Sequence, residues 1–205
     1  MTPTIDYYFI CSSPYAYLGH KAFLDLAARH GAEIRYRPID IRGVWANSGS
    51  VPLGERTPLR QRYRRVELQR FAEWRGLPLN LKPKHFPVDS ALADKVAIAL
   101  VEAGRDPAGF VWRAHRGVWE NEENIADAAQ LAAYLETEGQ DAQPLIDFAQ
   151  SPRAEKVRQA NTRDAANGDA VGAPVYVYRG EPFWGQDLLD LLDRMLQTKR
   201  EPFTS

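Results

Sequence analysis

Sulfur chemistry is nearly absent from this chain, whose 205 residues include a single cysteine, Cys11. No intramolecular disulfide is possible, no cysteine-rich zinc site can form, and the cytoplasm is the expected compartment. The histidines His20, His30, His85 and His115 are scattered, with no pair at metal-ligand spacing, so no structural metal is expected. An excess of one charge is also missing. Lys+Arg 26 against Asp+Glu 27 leaves a formal net charge of −1, which argues against nucleic acid or an anionic membrane as the main partner. No apolar run nears the roughly 18 residues that span a bilayer. The first residues lack a basic region followed by an apolar stretch, so no secretory signal is read. What is present is a 44% hydrophobic chain, ordinary for a protein with a buried core. Its length suits one large domain, or a small one carrying an insertion.

The chain begins as strand, helix, strand. Residues 5–10 have a β-rich composition. Tyr15, Leu18, Ala22 and Leu26, spaced by three and four, predict a helix over 15–29. Ile34 and Tyr36 alternate with charges in a second strand, 33–39, and β-α-β implies a parallel pair with a right-handed crossover. The pattern then turns helical. Residues 47–52 are loop chemistry, and a helix over 57–75 ends at Gly76-Leu77-Pro78. Residues 79–87 read as extended loop. Further helices are marked by Leu92, Val96, Ala99 and Ala103, by Asp106-Pro107 through Val118, by Leu131 and Leu135, and by Ser151-Pro152 up to about Gly168. Residues 174–178 and 182–184 form an antiparallel hairpin, and a last helix opens at Gly185-Gln186-Asp187. The polar tail, 199–205, is expected to fray. Neither end can bury its sheet alone. Joined, they make an α/β, thioredoxin-like fold, β-α-β plus β-β-α around one mixed four-stranded sheet. Residues 1–44 and 168–205 are then a discontinuous domain, and 45–167 an inserted all-helical subdomain.

Ser13-Pro14 stands at the first strand-to-helix junction, where a serine caps a helix and a proline fits its first position. A second reading concerns charge. Unpaired N–H groups and the helix macrodipole stabilise an anion at that end, and a hydroxyl there can hydrogen-bond a thiolate. The thiol need not belong to the protein. Cys11 shares the strand face of Tyr7 and Phe9 and is expected to be buried packing.

Four stretches carry a family resemblance. They are the run from Tyr8 to Gly19 around Ser12-Ser13-Pro14-Tyr15, Val66-Glu67-Leu68-Gln69-Arg70-Phe71, Gly172-Ala173-Pro174, and Phe183-Trp184-Gly185-Gln186-Asp187. In that order the chain resembles glutathione-dependent 2-hydroxychromene-2-carboxylate isomerases and kappa-class glutathione transferases, in the DsbA-like branch of the thioredoxin fold. Disulfide oxidoreductases of this fold open the first helix with Cys-x-x-Cys. Here those positions are Ser13-Pro14-Tyr15-Ala16, so disulfide exchange has no thiolate to work with. The resemblance implies that Ser13 is catalytic and faces the glutathione sulfur. It implies that Pro174 is cis and that the Ala173 backbone pairs with the cysteinyl part of glutathione, as an added strand does.

By the same resemblance the helix start at Gln186 and Asp187 receives the γ-glutamyl carboxylate, with Asp187 pairing the ammonium. The plain reading of the pair is helix capping, and both can hold. Relatives often have arginine next, where this chain has Leu188. Arg60, in the basic run 60–65, falls where relatives have a lysine near the cofactor; a solvated helix face is its default. Tyr15 and His85 are candidates for the substrate pocket. Trp45, Trp74, Trp112 and Trp119 default to the core, and Trp184, beside the cofactor motif, is the one expected at a ligand. The implied function is isomerisation of 2-hydroxychromene-2-carboxylate to trans-o-hydroxybenzylidenepyruvate through a glutathione thiolate adduct. The alternatives are a kappa-like transferase acting on electrophiles, or a non-catalytic thioredoxin-fold binding protein. The implied partners are glutathione, a small-molecule substrate and, as in relatives, a second copy in a homodimer.

Overall fold

A computed structural model of the chain describes residues 2–203. Strand β1 (Thr4–Phe9) is central. It pairs in parallel with β2 (Glu33–Pro38), Tyr7 opposite Tyr36. On its other side it pairs antiparallel with β3 (Val175–Tyr178), which continues as a hairpin into β4 (Glu181–Trp184). The order β2-β1-β3-β4 is the mixed four-stranded sheet expected from the two chain ends. Both faces of β1 are covered toward its C-terminal end, where Tyr7, Tyr8 and Phe9 are buried in succession. Ile5, Tyr7 and Phe9 face one core, whereas Tyr8 joins Ile39, Val44, Ala165 and Val175 on the other side.

Helix α1 (Pro14–His30) follows β1 directly and ends at Gly31, whose φ of 57° supplies the left-handed C-cap. It packs on the sheet through Phe23, which meets Tyr7 and Tyr176, and buries Tyr17, Leu18 and Leu26 as well. Between β2 and β3 the described chain is helical: α2 (Ile41–Ser48), α3 (Pro58–Arg75), α4 (Ala91–Glu102), α5 (Ala108–Trp119), α6 (Ala128–Thr137), α7 (Ala142–Gln150) and α8 (Pro152–Asn167). A short 3-10 turn, Gln186–Leu188, leads into α9 (Leu189–Thr198). One continuous core runs from Tyr7 and Tyr176 of the sheet through Leu68, Ala97 and Trp119 to Leu131 and Met195. None of the described helices is long and apolar enough to cross a membrane.

Several expectations need correction. Two helices were not foreseen. Short α2 is capped by Asp40, whose Oδ1 accepts from Arg42 N–H at 3.0 Å. In α7, Pro144 sits in the first turn, where a missing N–H costs nothing. The last helix proper begins at Leu189, because Gly185 holds φ 97° and ψ 151° and the next three residues form the tighter turn. The tail is anchored as far as Phe203: Arg200 grips the Glu181 carboxylate at 2.6 and 2.7 Å, and Phe203 N–H donates to the same group at 2.8 Å. Thr204 and Ser205 lie outside the described residues. Of the tryptophans, Trp119 is fully buried, while Trp74 is 56% and Trp184 52% exposed.

Candidate active site

Ser13 is the N-cap of α1. Its Oγ accepts from Ala16 N–H at 3.2 Å and donates to the Ala173 carbonyl at 3.4 Å. The second contact spans the molecule and brings the helix start against the loop before β3. The Ala173–Pro174 peptide bond is cis, and Pro174 returns its own carbonyl to Gly185 N–H at 2.9 Å. Ser13, Ala173, Pro174 and Gly185 are thereby linked in one place. The Ala173 N–H has no acceptor among the described residues and is available to a ligand carbonyl.

Beyond Gly185, Asp187 is exposed and holds no ion pair among the described residues. The helix start at Gln186 is expected to receive the cofactor's carboxylate; the Gln186 side chain itself turns inward. It is fully buried, and its Oε1 accepts from Arg75 Nε at 3.0 Å and Nη2 at 2.8 Å, while its carbonyl takes a third bond from the same guanidinium. It also lies against Gly19 of α1, the close approach that a side chain at position 19 would block. Gln186 therefore fixes the turn that displays Asp187. Its Nε2 and the nearby Tyr176 hydroxyl are buried without partners among the described residues. Trp184 lies over Gly172, with its indole where a side chain at 172 would be.

On the other side of Ser13, the Tyr15 hydroxyl donates to Glu67 of α3. Burial first, then that carboxylate, pushes the Tyr15 phenol above its ordinary value. Arg64, one turn before Glu67, places its guanidinium carbon 5.9 Å from the Tyr15 ring centroid and 6.0 Å from that of Phe86. Arg60, a further turn back, is exposed; its backbone N–H donates to Thr57 Oγ1 at 3.3 Å, and no contact links its side chain to Ser13. His85 is half-buried beside Phe86. Sequence reasoning named Glu67 only within a motif and did not single out Arg64 or Arg75. Each acts through a partner more than fifty positions away or on another element, which helical spacing does not reveal.

The turn before Ser13 is held from beneath. Cys11 is fully buried, and desolvation, then Asp94, pushes its thiol well up, so it is packing. Its N–H donates to Asp94 Oδ1 at 2.7 Å and its carbonyl accepts from His115 Nδ1 at 2.9 Å. Asp94 also accepts from Ser90 Oγ at 3.0 Å, with Arg158 at 3.6 Å. Burial raises the Asp94 carboxyl to about 6, against the opposing pull of Arg158. The helical block thus grips both polar backbone groups of Cys11, two residues before the catalytic candidate. A cavity of about 820 Å³ lies elsewhere, along β2 by Tyr36 and Ile98, on the far side of β1 from Ala173.

Residues 4–197 match the DSBA-like thioredoxin domain. A 2-hydroxychromene-2-carboxylate isomerase from Sphingobium xenophagum is 34% identical over 199 residues, 96% of this chain and 99% of that protein. Glutathione S-transferase kappa 1 of Caenorhabditis elegans is 27% identical, covering 95% of this chain and 91% of its own. A solved 2-hydroxychromene-2-carboxylate isomerase structure superposes with a TM-score of 0.83 at 26% identity, covering 96% of this chain and 95% of its own. With its Ser-Pro helix start, its cis proline and this likeness along nearly its whole length, the chain belongs to the DSBA-like thioredoxin family and, within it, to the 2-hydroxychromene-2-carboxylate isomerase family.

Proposed function

We propose that the chain is a glutathione-dependent isomerase interconverting 2-hydroxychromene-2-carboxylate and trans-o-hydroxybenzylidenepyruvate. The observation that carries this reading is Ser13, a hydroxyl at a helix N-terminus facing cis Ala173–Pro174, where disulfide chemistry would require a cysteine. The name of the Sphingobium relative supports 2-hydroxychromene-2-carboxylate as substrate, and that of the kappa transferase supports glutathione.

The residues present fit glutathione. Ala173 N–H is free for a ligand carbonyl, and the unpaired Asp187 carboxylate suits an ammonium. When bound, glutathione would supply a thiolate that adds reversibly to the double bond; with the ring C–O bond broken the resulting single bond could rotate, and elimination of the thiolate would restore the double bond in the trans form. Ser13 Oγ redirects its hydrogen bond from the Ala173 carbonyl to the negative sulfur, and the α1 N-terminus holds charge there. Trp184 and Arg60 are assigned to the cofactor side, Tyr15 and His85 to the substrate side. Isomerisation is measured by absorbance with and without glutathione. Ser13→Ala should lower turnover by about a hundredfold or more; wild-type turnover in that variant sinks its role. In calorimetry, Asp187→Ala should weaken glutathione binding sharply.

A second reading, a kappa-like transferase, is favoured by the Caenorhabditis relative, and the same residues serve it. Conjugation of a chloronitrobenzene without isomerisation would select it. A non-catalytic binding protein predicts no heat on glutathione titration. We place the chain in the cytoplasm, acting on a small molecule. Its homodimer would use the exposed stripe of Leu59, Tyr63, Val66 and Trp74 along α3, which sedimentation tests.

A further inference from the structure

Arg64 differs from every other buried or half-buried arginine among the described residues. Arg37, Arg56, Arg75, Arg113, Arg116, Arg158 and Arg200 each hold a carboxylate, an amide or a carbonyl oxygen. Arg64 holds none among the described residues, and the Tyr15 and Phe86 rings flank it, at 5.9 and 6.0 Å. A guanidinium drawn out of water without an acceptor is costly unless an anion arrives. Burial accordingly lowers its pKa, with Arg56 adding to the effect and Tyr15 and Glu67 opposing it.

The surrounding charge favours that anion. Glu67 is occupied by the Tyr15 hydroxyl, and no ion pair joins it to Arg64 among the described residues. Arg56 acts on the same spot, its Nε donating to the Val51 carbonyl at 3.1 Å. Two arginines against one glutamate leave a local positive excess. Tyr15, whose ring Arg64 flanks, stands in the first turn of the helix that Ser13 caps. The walls are flat and apolar, which suits a planar ring stacked beside a guanidinium.

We propose that Arg64 anchors the carboxylate of the organic substrate, and that it restricts the pocket to planar aromatic carboxylates. This deepens the isomerase reading and rests on it. Arg60, the arginine expected from the sequence to act near the cofactor, remains solvated one turn away.

The test is calorimetric titration of chromone-2-carboxylate, a planar acid that does not isomerise, and of uncharged chromone. Each is titrated into wild type, Arg64→Met and Arg64→Lys, with and without glutathione. Methionine preserves contact with Tyr15 and Phe86 while removing the charge. Arg64→Met should lose about tenfold to a hundredfold in affinity for the carboxylate, with chromone and glutathione affinities unchanged. Lysine should restore part of the loss. Equal carboxylate affinity in wild type and Arg64→Met overturns the proposal, as does an equal loss for both ligands, or no binding of the carboxylate to wild type. A wild type that selects the carboxylate through Arg64 but never isomerises the chromene sinks the isomerase reading alone. A wild type that isomerises while Arg64→Met binds the acid unimpaired sinks the Arg64 assignment alone.

Discussion

The Ser13 hydroxyl is shared between two neighbours, accepting from Ala16 N–H and donating to the Ala173 carbonyl. The first bond is a helix cap, and the second holds the hydroxyl hydrogen where a sulfur is proposed to sit. The two roles separate by substitution. Ser13→Ala removes both and should cost about 1 kcal/mol of stability in urea unfolding. Ser13→Asn keeps a capping oxygen without a hydroxyl, so it should recover the stability but not the turnover. Recovery of both would mean that only the cap matters. The capping role was readable from Ser13-Pro14 alone. Its long bond to Ala173 was not, since 160 residues separate the two.

At the level of elements, the site depends on how closely α1 meets the turn before α9. Gly19 makes this possible: a Cβ there would stand 2.5 Å from Gln186 Cβ and 2.9 Å from the Tyr176 hydroxyl, both fully buried. Gly19→Ala should therefore cost about 1–3 kcal/mol, read as a lower urea midpoint with an unchanged slope. An unchanged midpoint would show that the two elements can part freely. The strand-helix periodicities made most elements legible, including the hairpin. The helices α2 and α7 escaped notice because short segments show barely two turns of pattern, and Pro144 reads as a breaker. The apolar residues of α7, Leu145, Ile146 and Ala149, are the signal that could have found it.

For the molecule as a whole, the buried junction of sheet and helical block sets the response to acid. Burial lowers His20 to about 4 and His115 to about 3, from an ordinary 6.5. Both stay neutral in the fold while the unfolded chain takes up protons. Their contribution is fully present above pH 6.5 and is lost as pH falls toward those values. Asp94 works in the opposite sense: its raised value favours the folded state below about 4, and that benefit is lost as pH rises through about 6. Two histidines with larger displacements outweigh one carboxyl, so the melting temperature should rise from pH 4.5 to 7. His115→Gln should flatten that rise and Asp94→Asn should steepen it. A flat wild-type profile would contradict this account.

Composition, periodicity and punctuation by themselves determined the order of the strands and of most helices, the joining of the two chain ends in one sheet, the lack of an intramolecular disulfide in a one-cysteine chain, and the cap at Ser13. These are local properties, set by spacing along the backbone or by the inventory of residue types. Only the tertiary structure decided that Gln186 turns inward to Arg75, that Arg64 rather than Arg60 borders Tyr15, that the tail is tied to Glu181, and that Asp94 and His115 grip Cys11. Those outcomes depend on which side chains lose water together when distant segments pack. A polar group withdrawn from solvent takes whichever partner the packing brings within reach, and sequence distance does not encode that choice.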